Sequence, residues 1–418
     1  MECRVCKGAG AATSWLEWIV YSLALIVLFL AVPFPVEARK IFYAACGLAA
    51  IGWALDRKRP DNAVLFLLTA LAIFALYRVA HTVMEAGTFY PKIDAWQVYL
   101  STANRFLMGL LLIGYLSTRS QLFHERRVRV LCVALMLGLI VTGAYELFLQ
   151  ADRGDREQRA TIFAYEVVAV FFAYLGLQLT RQRNEKKFWP LQALIGLLAL
   201  GIVLRTETRM ALLCFFIGGA LLLILSERVR KWKVLGVATL VGAMVVAGCY
   251  PYLVKPRLME ACNDITQYAS GENRATSIGT RFELWRGSVL AFEQSPITGG
   301  GYQQRVEILG KAVAQHQLDP VASHYSRVNM HNEMLEELSL RGAVGGVLLL
   351  WLYFAVAALG WRAAPRNLAL LGVLFAYVFS GLTDVLFFSR EATVLFIALL
   401  AVLVRSSPPK PLTPRSEV

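Results

Sequence analysis

The chain is 418 residues long, 57% hydrophobic and 17% charged, with a mean hydropathy of +0.54. A soluble domain could not bury that much apolar surface around one core, so the composition points to an all-α polytopic membrane protein. The formal charge of +13 would suggest nucleic acid in a soluble chain, but no nucleic-acid-reading motif is present, and basic residues in a membrane protein must first be sorted by side. The seven cysteines are an odd number, and Cys3-x-x-Cys6 has no second pair, so neither a zinc site nor a disulfide framework is supported. Cys249 and Cys262 read as two unpaired thiols, with a disulfide as the alternative if the loop that carries Cys262 is extracytoplasmic.

A spanning helix needs about 20 apolar residues, with latitude for tilt. Twelve stretches qualify: 15–33, 41–55, 62–80, 97–116, 128–149, 161–179, 188–204, 210–225, 234–250, 343–361, 368–383 and 393–404. The first begins like a signal peptide, but its run is too long for one and leads directly into further spans. The chain therefore divides into 1–250 with spans one to nine, 251–342 as one large, partly helical loop, 343–404 with the last three spans, and 405–418 as a tail. Basic clusters such as Arg57-Lys58-Arg59, Arg126-Arg127 and Lys186-Lys187 fall on the side of the termini. They outnumber those opposite, which include Arg39, Lys40, Lys92 and Arg390. Both termini are thus expected in the cytoplasm, with the large loop in the periplasm or cell exterior. The short cytoplasmic loops hold no ATP-binding motif, so no coupling to nucleotide hydrolysis is expected.

Basic residues outside or within the bilayer carry the remaining information. In Arg205-Thr206-Glu207-Thr208-Arg209, two Arg four apart share a helical face if the eighth helix begins early, and together they could grip a phosphate. The alternative is snorkelling to headgroups, with Glu207 neutralising one of them. Further on, Thr280 and Glu283 form a capping-box pattern that predicts a helix from Arg281. Arg281 then shares a stripe with Trp285, Ser288 and Phe292, while Arg286 points away. In the first turn, free N–H groups and the helix dipole would add to the pull of Arg281 on an anion; the structural alternative pairs it with Asp264 or Glu272. The following Gly299-Gly300-Gly301 either lets backbone approach a ligand or is a flexible corner.

Near the end of the loop, Asn329 is expected to cap a helix starting at His331. Met334, Leu335 and Leu338 would form its apolar face, shared by His331, and Glu333, Glu336 and Glu337 the other face. A partly buried imidazole at a helix start favours its neutral form, which can accept a proton from a hydroxyl. A core histidine bonded to a carbonyl is the structural alternative. His316, His324 and His331 show no metal-ligand spacing. Arginines and one base on the outer face, with no metal, cofactor or nucleotide, suit transfer of a sugar from a lipid-linked diphosphate. Arg compensates the charge of the leaving group, and the histidine activates the acceptor hydroxyl. Arg78, Arg105, Glu146 and Glu166 lie in or at the ends of spans, where pairing within the bundle is expected; Asp384, Arg390 and Glu391 border the last outer loop and could join the site.

The run His331-Asn332-x-x-Leu335-Glu336-x-Leu338-x-x-x-Gly342 resembles the signature closing the large periplasmic loop of the O-antigen ligase and polymerase superfamily. The Arg281…Trp285 helix leading to Pro296-x-x-Gly299-x-Gly301 is similar to that family's loop. Thr206-x-Thr208-Arg209 resembles its Thr-x-Ser-Arg element, with Thr for Ser. The likeness covers about 204–342, and spans one to six match only as hydrophobic segments. It implies a metal-independent, inverting membrane glycosyltransferase of the GT-C kind in the bacterial inner membrane, with undecaprenyl-diphosphate-linked O-antigen as donor and lipid A-core oligosaccharide as acceptor. Carried over, His331 is the base and Arg209 and Arg281 hold the diphosphate, with Arg205 and Arg286 as further candidates. Length, the single large loop and motif spacing favour a ligase, with a polymerase that extends one lipid-linked glycan with another as the alternative. Protein-modifying members usually carry an added C-terminal region, and the short Pro-rich stretch of fourteen residues after Val404 sets the expectation against them. A lipid-linked sugar transporter would predict internal repeats, and none is seen. No oligomeric state follows from the sequence.

Overall fold

The computed structural model describes residues 4–86, 94–119, 125–148, 160–180, 189–226, 255–325, 329–363 and 365–404. The ninth predicted span with Cys249, the start of the large loop, and the tail 405–418 lie outside the described residues. Among the described residues there is no strand, and the helices are α1 (Arg4–Leu30), α2 (Pro35–Asp56), α3 (Asn62–Ala86), α4 (Asp94–Ser117), α5 (Glu125–Phe148), α6 (Ala160–Thr180), α7 (Trp189–Arg205) and α8 (Arg209–Leu225). They are followed by α9 (Lys255–Ser270), α10 (Ser277–Gln294), α11 (Gly301–Ala314), α12 (Pro320–Tyr325), α13 (Glu333–Arg362), α14 (Leu368–Ser380) and α15 (Arg390–Leu403), with a 3-10 turn at Leu386–Phe388.

Four described stretches are long and apolar enough to cross a membrane: Asn62–Met84, Glu125–Phe148, Ala160–Thr180 and Glu333–Arg362. Shorter apolar helices run over Trp15–Leu30, Pro190–Arg205, Arg209–Leu225 and Leu368–Ser380. The distribution of side chains is that of a protein in lipid. Val130, Val133, Leu137, Ile140 and Leu147 of α5 face outward, while its Glu146 and Thr142 are buried. In water the outward stripe would be an aggregation surface; against lipid it costs nothing, and the buried polar groups find partners inside.

The centre of the bundle is α6, almost every residue of which is buried. It lies so close to α14 that a Cβ at Gly176 would stand 2.3 Å from the Ala369 nitrogen. Around this pair, α3 packs on α4 and α13, and α4 packs on α15 and α2. Helices α9 to α12 form a separate layer with a small core of Leu284, Leu309, Ala312, Leu318, Ala322 and Met330. That layer reaches the bundle chiefly through α10 against α13.

Three local expectations are corrected. Helix α10 is capped by Thr276, whose hydroxyl accepts from the Gly279 N–H at 3.1 Å, so it starts four residues before Arg281. Glu283 is drawn into the loop core instead of reaching back to cap. His331 is not in a helix: Asn332 is the N-cap of α13 and accepts from the Leu335 N–H at 3.0 Å. The glutamate face of α13 is the buried one, with Glu333, Glu336 and Glu337 all inside and Met334, Leu335 and Leu338 partly exposed. Arginines from other elements explain the inversion.

Candidate active site

Buried charge organises the start of α13. Glu336 accepts from Arg305 Nη1 of α11 at 3.0 Å, from the Tyr99 hydroxyl of α4, and from the Met330 N–H at 2.7 Å. Arg305 also reaches Ser339 Oγ at 3.2 Å. Burial alone would lower the Arg305 guanidinium, but Glu336 and Tyr99 hold it above the ordinary arginine value. One position on, Glu337 pairs with Arg341 Nη1 at 3.0 Å and lies 3.7 Å from Arg78 Nε of α3, whose Nη2 donates to the Phe387 carbonyl at 3.2 Å. Glu333 accepts from the Phe387 N–H at 3.0 Å, and its own N–H donates to the Gly381 carbonyl at 2.7 Å. Each acid of the helix therefore clamps a different element around its N-terminus.

The other end of this segment is Gly342, at φ 60° and ψ −161°, which breaks the run into a loop-side helix and a spanning helix. Only glycine adopts that conformation readily. The Ala343 and Val344 N–H groups exposed by the break donate to the Pro296 and Ile297 carbonyls at 2.8 and 3.0 Å. A Cβ at Gly342 would stand 2.4 Å from the Ile297 oxygen, and one at Gly299 2.1 Å from the Leu340 oxygen. The glycine turn thus approaches helix backbone closely. Residues Pro296-x-x-Gly299 and Gly342 form two sides of one joint, which α3 supports through His81 Nε2, 3.0 Å from the Thr298 carbonyl.

His331 sits at the free end of this frame, in the left-handed region at φ 49°, which a non-glycine residue enters at a cost and mostly at functional sites. Its N–H donates to Asn329 Oδ1 at 3.0 Å, and the neighbouring Asn332 Nδ2 donates to the Leu382 carbonyl at 3.0 Å. The connection after α14 is thereby wrapped against it. From that connection Asp384 points at the imidazole, with Oδ1 3.7 Å from His331 Nδ1. Asp384 Oδ2 accepts from the Thr161 hydroxyl of α6 at 2.8 Å, and Oδ1 accepts from the Val385 N–H at 2.9 Å. Burial would push the Asp384 carboxyl up, but His331, the Val385 N–H and the Thr161 hydroxyl together hold it below the ordinary aspartate value. Next to it the Thr383 hydroxyl lies 3.1 Å from the Tyr165 hydroxyl.

Arg281 approaches from α10. Its Nη1 donates to Ser277 Oγ at 3.4 Å, its Nε is buried without a hydrogen-bond partner, and it acts electrostatically on Tyr165. Asp384 also acts on Tyr165, in the opposite sense, so both charges stand within electrostatic reach of that hydroxyl. Asp264, the alternative partner expected for it, accepts the Ile278 N–H at 3.3 Å instead. Arg281 lies beyond the first turn of its helix, so the free N–H groups are not beside it.

The other arginines are distributed differently. Arg205 ends α7 and Arg209 begins α8, so the two do not share a helix face. The turn between them is shaped by its threonines: the buried Thr206 hydroxyl donates to the Val203 carbonyl at 2.7 Å and lies 3.1 Å from that of Thr208. Arg205 Nε is 3.7 Å from Glu146, and Arg209 Nη2 is 2.6 Å from Glu260 on α9. Arg286 belongs to the loop core, where Glu283 gathers Arg286 Nη1 at 2.8 Å, the Tyr268 hydroxyl at 2.7 Å and the Asp319 N–H at 2.7 Å. Arg286 also donates to the Gln317 carbonyl at 3.0 Å. Among the described residues no three His, Cys, Asp or Glu side chains converge as a metal would require. Sequence reasoning left Thr161 and Tyr165 unnamed, and Arg305 and Tyr99 as the partners of Glu336. Thr161 and Tyr165, one turn apart at the start of a mostly apolar span, were a usable signal.

A helical bundle with membrane-spanning stretches that sets Asp384 against His331 and leaves the Arg281 Nε without a hydrogen-bond partner has the make-up of a membrane enzyme. An O-antigen ligase family model matches residues 194–350, the stretch from α7 to α13 that holds Arg205, Arg209, Arg281, Arg286 and His331. Over 405 residues, 93% of either chain, the sequence is 26% identical to an O-antigen ligase of Escherichia coli (strain K12). It is also 23% identical over 231 residues, 53% of this chain and 57% of the other, to an uncharacterized protein of Haemophilus influenzae. The likeness to an O-antigen ligase thus runs along almost the whole chain, and the family model falls on the stretch that carries the candidate site.

Proposed function

We propose that this chain is an O-antigen ligase, which moves O-antigen glycan from undecaprenyl diphosphate to the lipid A-core oligosaccharide at the periplasmic face, by inverting, metal-independent displacement. The observation that carries the mechanism is the His331–Asp384 pair. With Asp384 facing Nδ1, the opposite nitrogen Nε2 is the one free to accept a proton. A separation of 3.7 Å is long for a hydrogen bond, as base contacts often are before substrate binds.

In the proposed step the acceptor hydroxyl oxygen attacks the anomeric carbon as its proton passes to His331. The bond from that carbon to the diphosphate oxygen breaks on the opposite face, and the diphosphate leaves with the electron pair. Asp384 stabilises the imidazolium that forms, as a positioning residue. Arg281 and Arg209 meet the charge developing on the diphosphate, whose departure then needs no protonating carboxylic acid. For Arg209 this requires exchange of the Glu260 carboxylate for phosphate oxygen. Arg205, held toward Glu146, and Arg286, held in the loop core, stand further from the reacting atoms in this reading.

The test uses purified protein with undecaprenyl-diphosphate glycan, with and without lipid A-core, and no nucleotide or divalent metal. Glycan on lipid A-core only when that acceptor is present supports the reading, and longer lipid-linked glycan without it would make the chain a polymerase. His331→Ala should insert and fold yet lose transfer; full activity in that variant sinks the mechanism.

A further inference from the structure

A second group of arginines stands where α2, α4 and α15 pack on one another, and the transfer chemistry does not use it. Arg39 of α2 reaches Glu391 Oε1 of α15 with Nη1 at 3.5 Å. Arg105 of α4 lies over the ring of Tyr43, one turn along α2 from Arg39, with its guanidinium carbon 5.8 Å from the ring centroid. Arg105 is 3% exposed; Nη1 donates to the Ser101 carbonyl at 2.6 Å, and Nε is buried with no partner. The charges acting on it are Arg39, Arg390 and Glu391, with Tyr43. Arg390 opens α15 and also has a buried Nε without a partner. The other oxygen of Glu391 takes the Ser389 hydroxyl at 3.2 Å. Lys40 and Glu37 pair with each other at the exposed surface and leave the balance unchanged.

Among the described residues, three guanidinium groups thus share one neighbourhood with a single carboxylate, which only Arg39 contacts, and the balance there is two positive charges in excess beside apolar helices. Such charge is expensive to keep and marks a functional group when it persists. Guanidinium forks match phosphate oxygens, and the start of α15 adds its dipole in the same sense. A phosphomonoester, at about −1.5 to −2 charge near neutral pH, balances the excess; a phosphodiester headgroup balances half of it. We propose that Arg39, Arg105 and Arg390 form a site for the phosphomonoester of a membrane glycolipid. Resting on the transfer reading above, that glycolipid is the acceptor, anchored by its phosphate while its sugar reaches His331.

Binding is measured without turnover, by native mass spectrometry of the protein in phosphatidylcholine nanodiscs titrated with diphosphoryl lipid A, phosphatase-treated lipid A, phosphatidylglycerol or inorganic phosphate. Wild type should prefer the phosphorylated lipid A, and Arg39→Gln/Arg390→Gln should weaken it about tenfold or more with no effect on the dephosphorylated form. Glu391→Gln, which removes the internal anion, should bind at least as tightly as wild type. In transfer assays the double variant should raise KM for acceptor with kcat kept. Equal binding by the double variant overturns the site. Equal competition by phosphatidylglycerol reassigns it to ordinary headgroups, and equal competition by inorganic phosphate to a free ion; both overturn the proposal. His331→Ala should bind normally, so a failed transfer reading and a failed anion site give different results.

Discussion

Glu336→Gln tests whether the buried ionic frame, beyond its individual helices, holds the site. Glu336 and Arg305 are both fully buried, and the same carboxylate also receives the Tyr99 hydroxyl and the Met330 N–H. Glutamine keeps the shape and removes the charge, taking from the buried Arg305 guanidinium the carboxylate it meets at 3.0 Å among α4, α11 and α13. Breaking a buried pair from one side costs about 3–5 kcal/mol, whereas replacing both partners by apolar groups is often neutral. The expected unfolding free energy of Glu336→Gln, from reversible titration in mixed SDS and detergent micelles, is lower by about that amount. Arg305→Met/Glu336→Leu should recover most of the stability. It should not recover transfer, because the Met330 amide beside His331 has lost its anchor. A loss below about 1 kcal/mol in Glu336→Gln, within the range of ordinary surface substitutions, would refute the ionic-frame argument. Full activity in the double variant would separate the frame from the placement of His331.

Three further outcomes follow from the geometry. Gly342→Ala places a Cβ 2.4 Å from the Ile297 oxygen at φ 60°, a strain of at least about 1–3 kcal/mol; the 255–325 layer should become protease-sensitive and transfer should fall, and unchanged resistance would count against the joint. Burial raises the Glu283 carboxyl, but the Asp319 N–H, the Tyr268 hydroxyl and Arg286 together hold it below the ordinary glutamate value. With the folded value below the unfolded one, its contribution is fully present above about pH 4.3 and is lost as pH falls through the folded value. Protease resistance of the loop layer should therefore be flat from neutral pH down to about 5 and collapse in stronger acid, while Glu283→Gln should be weakened at neutral pH with a flatter profile. Arg281→Lys should remain impaired in transfer although its charge is kept, since lysine lacks the fork that meets two phosphate oxygens; kinetics indistinguishable from wild type would remove Arg281 from the site.

Much of this protein is legible in one dimension. Apolar runs of spanning length define the bundle because lipid demands them regardless of neighbours. Gly342 announces the break between loop-side and spanning helix because no other residue takes that conformation cheaply, and His331, Arg209 and Arg281 stand out as polar groups in short motifs. What the residues do there was decided by contacts between distant segments. Periodicity divides α13 into an acidic and an apolar face, but which face turns inward depends on Arg78, Arg305 and Arg341 meeting the acids, and the spacing of the glutamates carries no trace of the first two. Asp384 became the partner of His331 only because Asn332 and Glu333 tie down the connection after α14. Arg286 pointed away from the Arg281 stripe by periodicity alone, but its place in the loop core was set only by Glu283. Spacing along a chain records which side chains share a face; the charge balance of what lies opposite is fixed only when the tertiary structure closes.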